Sequence, residues 1–143
     1  MLYLDTSALA KKYIQEFGSE AVRELISRSN MVATCSITRA EAAAAFSKAI
    51  RLRSLTRSAA LACHKEFVRE WKSYLRIRVT EALVARADAL SWTFNLRGYH
   101  AVHLAAALEW QDRLGETVTL GSFDQELWDA AVEAGLERFP SSL

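Results

Sequence analysis

Met1-Leu2-Tyr3-Leu4-Asp5-Thr6-Ser7-Ala8-Leu9 opens the chain, and its reading decides the fold. Leu2, Tyr3 and Leu4 form a short apolar run cut off by a carboxylate, the pattern of a buried parallel strand. Thr6 and Ser7 then open a helix that runs through Tyr13 and Gln15. An aspartate at the carboxyl end of a first buried strand stands where an open α/β sheet keeps its ligand crevice. The same residue is also explained without a ligand, because Asp5 or Thr6 can cap the following helix. What separates the two is whether other acids fall at the same edge of the sheet.

Outward from that stretch, strand and helix patterns alternate to the end of the chain. Gly18 breaks the first helix, and Ala21, Val22, Leu25 and Ile26 give an amphipathic stripe over 19–28. Met31 to Cys35 is a second short strand, followed by an alanine-rich helix over 36–53 with Ile37, Ala40, Ala43 and Ala44 as buried candidates. Thr56 caps a helix to about Tyr74, anchored by Leu61, Phe67, Val68 and Trp71. Arg76-Ile77-Arg78-Val79 alternates as an edge strand does, and Thr80 opens a helix that Gly98 is expected to stop. His100 to Arg113 is helical, Val118 to Leu120 a strand, Asp124 to Ala134 a helix closed by Gly135, and Leu136 to Phe139 a last short strand. The pattern defines an α/β layered fold with a mainly parallel central sheet flanked by helices, one domain over 1–143.

Composition narrows the classes. With 51% hydrophobic and 24% charged residues, the 143-residue chain can bury a core of its own. A formal net charge of +1 does not force bulk attraction to nucleic acid. Cys35 and Cys63 have no metal-ligand spacing, so neither a disulfide framework nor a zinc site is indicated. No apolar run is long enough to span a bilayer and no secretory leader pattern is present; the expected location is the cytoplasm, with no membrane partner.

The acids carry the chemistry. Glu41 follows the second strand in Thr38-Arg39-Ala40-Glu41, which also reads as a capping box with Thr38. Asp124 follows the fourth strand in Gly121-Ser122-Phe123-Asp124, where a helix start again accounts for a carboxylate. Helix starts do not explain the set. Asp5, Glu41 and Asp124 each follow a separate strand, and in a parallel sheet those strand ends share one edge. Converging carboxylates raise one another's pKa unless a cation lies between them. Hard oxygen ligands suit Mg²⁺ or Mn²⁺, and such an ion suits phosphodiester hydrolysis.

Four stretches in order now carry a resemblance: Leu4-Asp5-Thr6-Ser7-Ala8-Leu9, Thr38-Arg39-Ala40-Glu41, Leu96-Arg97-Gly98-Tyr99-His100-Ala101-Val102-His103-Leu104-Ala105, and Ser122-Phe123-Asp124. Together they resemble the successive motifs of PIN-domain ribonucleases, most closely the VapC-like toxins of type II toxin–antitoxin pairs. The resemblance implies a PIN-like three-layer fold, a divalent-metal site of acidic residues and an RNA substrate. It further implies a small antitoxin whose tail covers the active-site groove, and a homodimer. By position, Asp5, Glu41 and Asp124 resemble the metal-binding acids. Ser7 would support Asp5 or a water at the metal, and Ser122 stands where relatives often carry a small hydroxyl residue. His100 departs from the pattern, because many relatives have aspartate there; it enters the catalytic set, where a neutral imidazole can be a metal ligand, a hydrogen-bond partner for water or a spectator.

Weaker readings complete the picture. Among the basic residues, Arg39 is singled out for phosphate contact by its place beside Glu41, whereas Lys11, Lys12, Lys48, Arg51, Arg53 and Arg57 read as solvated helix faces. His103 reads as packed or locally bonded, and the four tryptophans as core or dimer contacts. A metal-dependent endoribonuclease toxin is the leading function. The alternative is a catalytically weakened PIN fold that binds RNA or an antitoxin. A phosphatase of the haloacid dehalogenase type would need Asp-x-Asp, and Ser7 occupies its second position.

Overall fold

The computed structural model describes residues 1–143, and its centre is the first strand. β1 (Leu2–Leu4) pairs in parallel with β2 (Val32–Cys35) on one side and β4 (Thr119–Gly121) on the other. β3 (Leu75–Ile77) and β5 (Glu137–Phe139) are the two edges, so the all-parallel order is β3-β2-β1-β4-β5. The chain builds outward from β1 to β3 and then crosses to β4, which puts the switch in strand order between β1 and β4. Ligand crevices of open sheets lie at that point, outside the carboxyl ends of the strands.

Leu2, Tyr3 and Leu4 are all buried because helices cover both faces of the sheet. Leu2 and Leu4 pack into a core with α1 (Thr6–Ala10), α3 (Thr38–Arg51) and α4 (Arg57–Glu70), against which Leu25 and Ile26 of α2 (Ser19–Arg28) also rest. Tyr3 points the other way, into a larger core built from α5 (Glu81–Phe94), α6 (Gly98–Leu114) and α7 (Gln125–Glu133). Alternate residues of one strand therefore seed the two halves of an α/β/α sandwich.

Several local expectations move. α1 ends at Ala10 and continues only as turns, rather than reaching Gln15. Asn95, in the left-handed conformation at φ 52°, ends α5, and Gly98 instead begins α6. An asparagine tolerates that conformation through local hydrogen bonding of its side chain. On α3 the buried residues are Thr38, Ala42, Phe46 and Ala49, at spacings of four, four and three, while Ala40 and Ala44 face water. On α4, Phe67 and Ala60 are the buried anchors, and Leu61 and Val68 are exposed. Trp71, Trp110 and Trp128 are buried, whereas Trp92 stands 86% exposed on α5.

The turn after α1 is tied to α4 by a polar cluster. Glu70 accepts from Lys12 Nζ at 2.6 Å and from the Tyr13 hydroxyl at 2.8 Å, and Tyr13 also meets the Tyr74 hydroxyl at 2.6 Å. Partial burial alone would raise the Glu70 carboxyl, but the hydrogen bonds from Lys12 and Tyr13 outweigh it and hold the group below its ordinary value. A depressed acid stabilises the fold above its unfolded pKa and loses that contribution as pH falls through the folded one. Glu70→Gln should therefore cost roughly 1–2 kcal/mol at neutral pH. The difference should shrink as the pH is lowered from neutral to about 2, through the depressed folded value. Denaturant melts of both proteins at the two pH values check this; an equal loss at both would assign the effect to packing.

Candidate functional site

Asp5 sits where β1 ends, and its backbone N–H donates to Gly121 O at 3.1 Å across the switch point. It is also the cap of α1, accepting from Ala8 N at 2.9 Å through Oδ1. Ser7 Oγ donates to the same carboxylate at 2.8 Å, and Ser122 Oγ donates to Oδ2 at 3.1 Å. Capping and a place in a site are thus not alternatives for this residue. Asp5 is only 3% exposed. Burial pushes its carboxyl above the ordinary value, against the opposing pull of His103 and of the Ala8, Ser7 and Ser122 donors. The two serines are locked in turn, since Ser7 Oγ accepts from Phe123 N at 2.8 Å and Ser122 Oγ from Asp124 N at 3.1 Å. A hydroxyl has one proton, and both serines commit theirs to Asp5. Ser7 and Ser122 both hold Asp5.

Close approach at this corner depends on Gly121. A Cβ there would lie 2.6 Å from Leu4 Cδ2, so the fully buried Leu4 side chain would have to shift within a packed core.

Glu41 lies in the first turn of α3. The capping box does not form: Ile37 is the cap residue without a side-chain bond, and Thr38 is buried with its hydroxyl 2.8 Å from that of Thr34. Glu41 instead reaches toward α1 and α6. Its Oε2 accepts from Thr6 Oγ1 and from His103 Nε2, the latter at 2.8 Å. Burial pushes the carboxyl up, but the hydrogen bonds and charge of His103, with Thr6 and His100 adding to them, bring it below the ordinary value. His103, read from sequence as locally bonded, is therefore a partner of this acid.

The fourth position is at the start of α7. Asp124 caps that helix through Leu127 N and takes Arg97 Nη2 on Oδ2 at 3.1 Å. Arg97 also donates from Nε to Glu126 at 3.0 Å, so one guanidinium forks two acids. His100 Nδ1 lies 3.3 Å from Asp124 Oδ1 and 3.7 Å from Glu126 Oε2. It is nevertheless buried without a hydrogen-bond partner: the Asp124 oxygen is within reach but out of line, and the Glu126 oxygen is too far.

Asp5, Ser7, Glu41, His100, His103 and Asp124 all line one open cleft of about 530 Å³. Arg39 is not brought there. It is exposed two residues before Glu41, which on a helix puts it nearly on the opposite face. Lys11 and Lys48 line the cleft in its place, although Lys11 is held by Glu16 and Phe17 O.

The group whose ligand atoms come within 4.8 Å of one another is His100, Asp124 and Glu126. Two carboxylates and an imidazole with a buried, unpartnered nitrogen fit a divalent cation chemically, and Asp5 and Glu41 supply further acids in the same cleft. Glu126 was not among the residues read from sequence; an acid in the first turn of a helix is already explained by the helix dipole.

This constellation, on a parallel sheet of this order, defines a known class. A family profile described as PIN domain matches residues 2–133, and the chain belongs to the PIN-domain family. Within it the chain is VapC-like. The ribonucleases VapC45 and VapC49 of Mycobacterium tuberculosis are each 27% identical to it over 143 residues, spanning 100% of this chain and 97% of theirs. Among solved structures, the sarcin-ricin loop cleaving toxin VapC20 of Mycobacterium tuberculosis has the same fold at a TM-score of 0.64, with 17% identity over 95% of this chain and 96% of its own. FitAcB from Neisseria gonorrhoeae matches at a TM-score of 0.65, with 17% identity over 97% and 96% of the two chains. No helix of the chain is long and apolar enough to cross a membrane.

Proposed function

We propose that this chain is a divalent-metal-dependent endoribonuclease and the toxin of a toxin–antitoxin pair. The convergence of Asp5, Glu41, His100 and Asp124 on one cleft at the carboxyl edge of the sheet carries the reading. Asp5, Glu41 and Asp124 are the acids that would hold the ion, joined by His100 and by Glu126 beside it. Mg²⁺ or Mn²⁺ bound there would supply the positive charge and the acidified water that phosphodiester hydrolysis needs. The protein's own part is to hold those groups still. Ser7 and Ser122 fix Asp5, Thr6 and His103 fix Glu41, and Arg97 fixes Asp124 and Glu126. Lys48, exposed on the cleft wall, is the cation placed for an RNA phosphate.

His100 favours a second reading, a PIN fold with weakened catalysis that still engages RNA or an antitoxin. Growth separates the two. Induced expression of the chain without a partner should slow the host, and Asp5→Asn should relieve that; equal growth of both strains would favour the binding module.

The same reading includes the partner proteins. A small antitoxin is expected to lay its tail in the cleft with an arginine or other cation among Asp5, Glu41 and Asp124, because uncompensated acids attract one. Arg97 already places a guanidinium on Asp124 within the chain. A structure of the complex with the tail bound far from these acids would contradict it. The homodimer belongs to this reading too, with Trp92 on α5 an exposed apolar residue available to a second copy.

A further inference from the structure

Tyr3 and Asp5 stand two apart on β1 and its end, so both project from the same strand. Tyr3 is fully buried in the core between the sheet and α6, yet it carries a hydroxyl that an apolar residue of the same shape would not. That hydroxyl lies 2.9 Å from His103 Nδ1, and His103 Nε2 lies 2.8 Å from Glu41 Oε2. His103 is itself 1% exposed, with its ring edge-on to that of Tyr3 at 6.0 Å.

The atoms admit a single consistent assignment for a neutral imidazole. An ionised carboxylate only accepts, so Nε2 carries the proton and donates to Glu41. Nδ1 is then an acceptor, and the Tyr3 phenol donates to it. A buried polar chain is costly unless every member is satisfied, and this one is. It ends on Glu41, whose carboxylate lines the cleft.

We propose that Tyr3 and His103 are positioning residues for Glu41, a buried hydrogen-bonded strut that fixes one carboxylate oxygen so that the other faces the ion. This deepens the metal-dependent reading above and rests on it. Both bonds to Glu41 land on Oε2, from His103 and from Thr6, and Oε1 has no partner within the protein. Holding one oxygen sets the plane of the carboxylate and leaves Oε1 as the ligand atom. Partners that orient a metal ligand in this way typically change metal affinity by about 10–100-fold when removed. One strand thereby places two acids: Asp5 directly at its end, and Glu41 through Tyr3 and His103. α6 does the same with two histidines one turn apart, His100 beside Asp124 and His103 on Glu41.

The test is isothermal titration of Mn²⁺ into RNA-free wild type, Tyr3→Phe, His103→Leu and His103→Gln, with thermal melts of each to verify folding. Tyr3→Phe removes one oxygen and keeps the ring, and it should weaken Mn²⁺ binding about threefold to tenfold. His103→Leu should weaken it by about 10–100-fold, and His103→Gln, whose amide can still donate to Glu41, should recover most of that. In cleavage assays the losses should fall on kcat with KM for RNA unchanged. Should His103→Leu fail to fold, Tyr3→Phe decides. Unchanged Mn²⁺ affinity in a folded Tyr3→Phe, or in a folded His103→Leu, would overturn the strut. Mn²⁺ binding with the expected losses but no cleavage of any RNA would leave the strut standing and remove the ribonuclease reading. A wild type that binds no Mn²⁺ overturns both.

Discussion

Asp5→Asn is expected to abolish RNA cleavage while leaving the protein folded, with a metal-free melting temperature equal to or above that of the wild type. The first half follows from charge. Asp5 is the acid at the centre of the sheet, and an amide in its place removes the anion that would hold a cation there. Metal-derived stabilisation of a phosphoryl transition state is worth several kcal/mol, so the loss should be on the order of a thousandfold or more. The second half follows from the hydrogen bonds. Asparagine caps helices as well as aspartate does, and its oxygen can accept from Ala8 N and Ser7 Oγ as the carboxylate does. Its nitrogen can donate to Ser122 Oγ, which has a lone pair left after accepting from Asp124 N. A buried carboxylate whose pKa is raised costs stability when ionised, and the amide removes that cost. Cleavage at the wild-type rate by a folded Asp5→Asn protein would sink the site as drawn. A collapse in melting temperature would mean that Asp5 is chiefly structural.

The second large effect concerns His100. Detectable cleavage with Mn²⁺ and weaker cleavage with Mg²⁺ are expected from the wild type, since imidazole suits later transition metals and magnesium prefers oxygen. His100→Asp should raise the Mg²⁺-supported rate by about tenfold or more, because it replaces a neutral donor with an anionic oxygen. The geometry adds a cost that can be measured without activity. The new carboxylate would enter a pocket where Nδ1 now lies 3.3 Å from Asp124 and 3.7 Å from Glu126. Three acids there would have only Arg97 to offset them, itself 69% exposed at the side chain. The metal-free variant should therefore lose roughly 1–3 kcal/mol of stability, and Mg²⁺ should restore it. Nuclease titrations of both proteins against both metals, with melts in parallel, decide the matter. If the wild type already works as well with Mg²⁺ and His100→Asp adds nothing, His100 is a spectator.

Much of this architecture is written locally. Leu2-Tyr3-Leu4 followed by Asp5 reads as a buried strand with an acid at its end because both faces of the sheet are covered, and the structure has that strand at the centre. The parallel order makes the ends of β1, β2 and β4 share an edge, which is why the acids after them could be grouped from spacing alone. Local chemistry misled where two residues offered the same service. Gly98 and Asn95 both stop helices, and the earlier one does so. Thr38 and Glu41 fit a capping box, but Thr34 and His103 claim their side chains. On α3 the alanines are too uniform to reveal which face is buried until Phe46 is placed against the rings of Tyr13 and Phe67.

The links within the site were not legible, for a different reason. His103 meets Glu41 across 62 positions of sequence and Tyr3 across 100, and no periodicity carries a pairing that distant. Arg97 and Glu126 are likewise joined only by the fold, 29 positions apart. Sequence shows which residues can do the chemistry. The fold shows which of them hold the others in place.

The central claim is that these acids bind a divalent ion and cleave RNA with it. Its most direct test is a Mn²⁺ titration of cleavage, with the purified chain, a single-stranded RNA labelled at one end, and Asp5→Asn prepared alongside. Cleavage that rises to saturation with Mn²⁺, disappears when EDTA is added and is absent from Asp5→Asn is the predicted result. Cleavage that is indifferent to Mn²⁺ and EDTA, or equal in the two proteins, would contradict it.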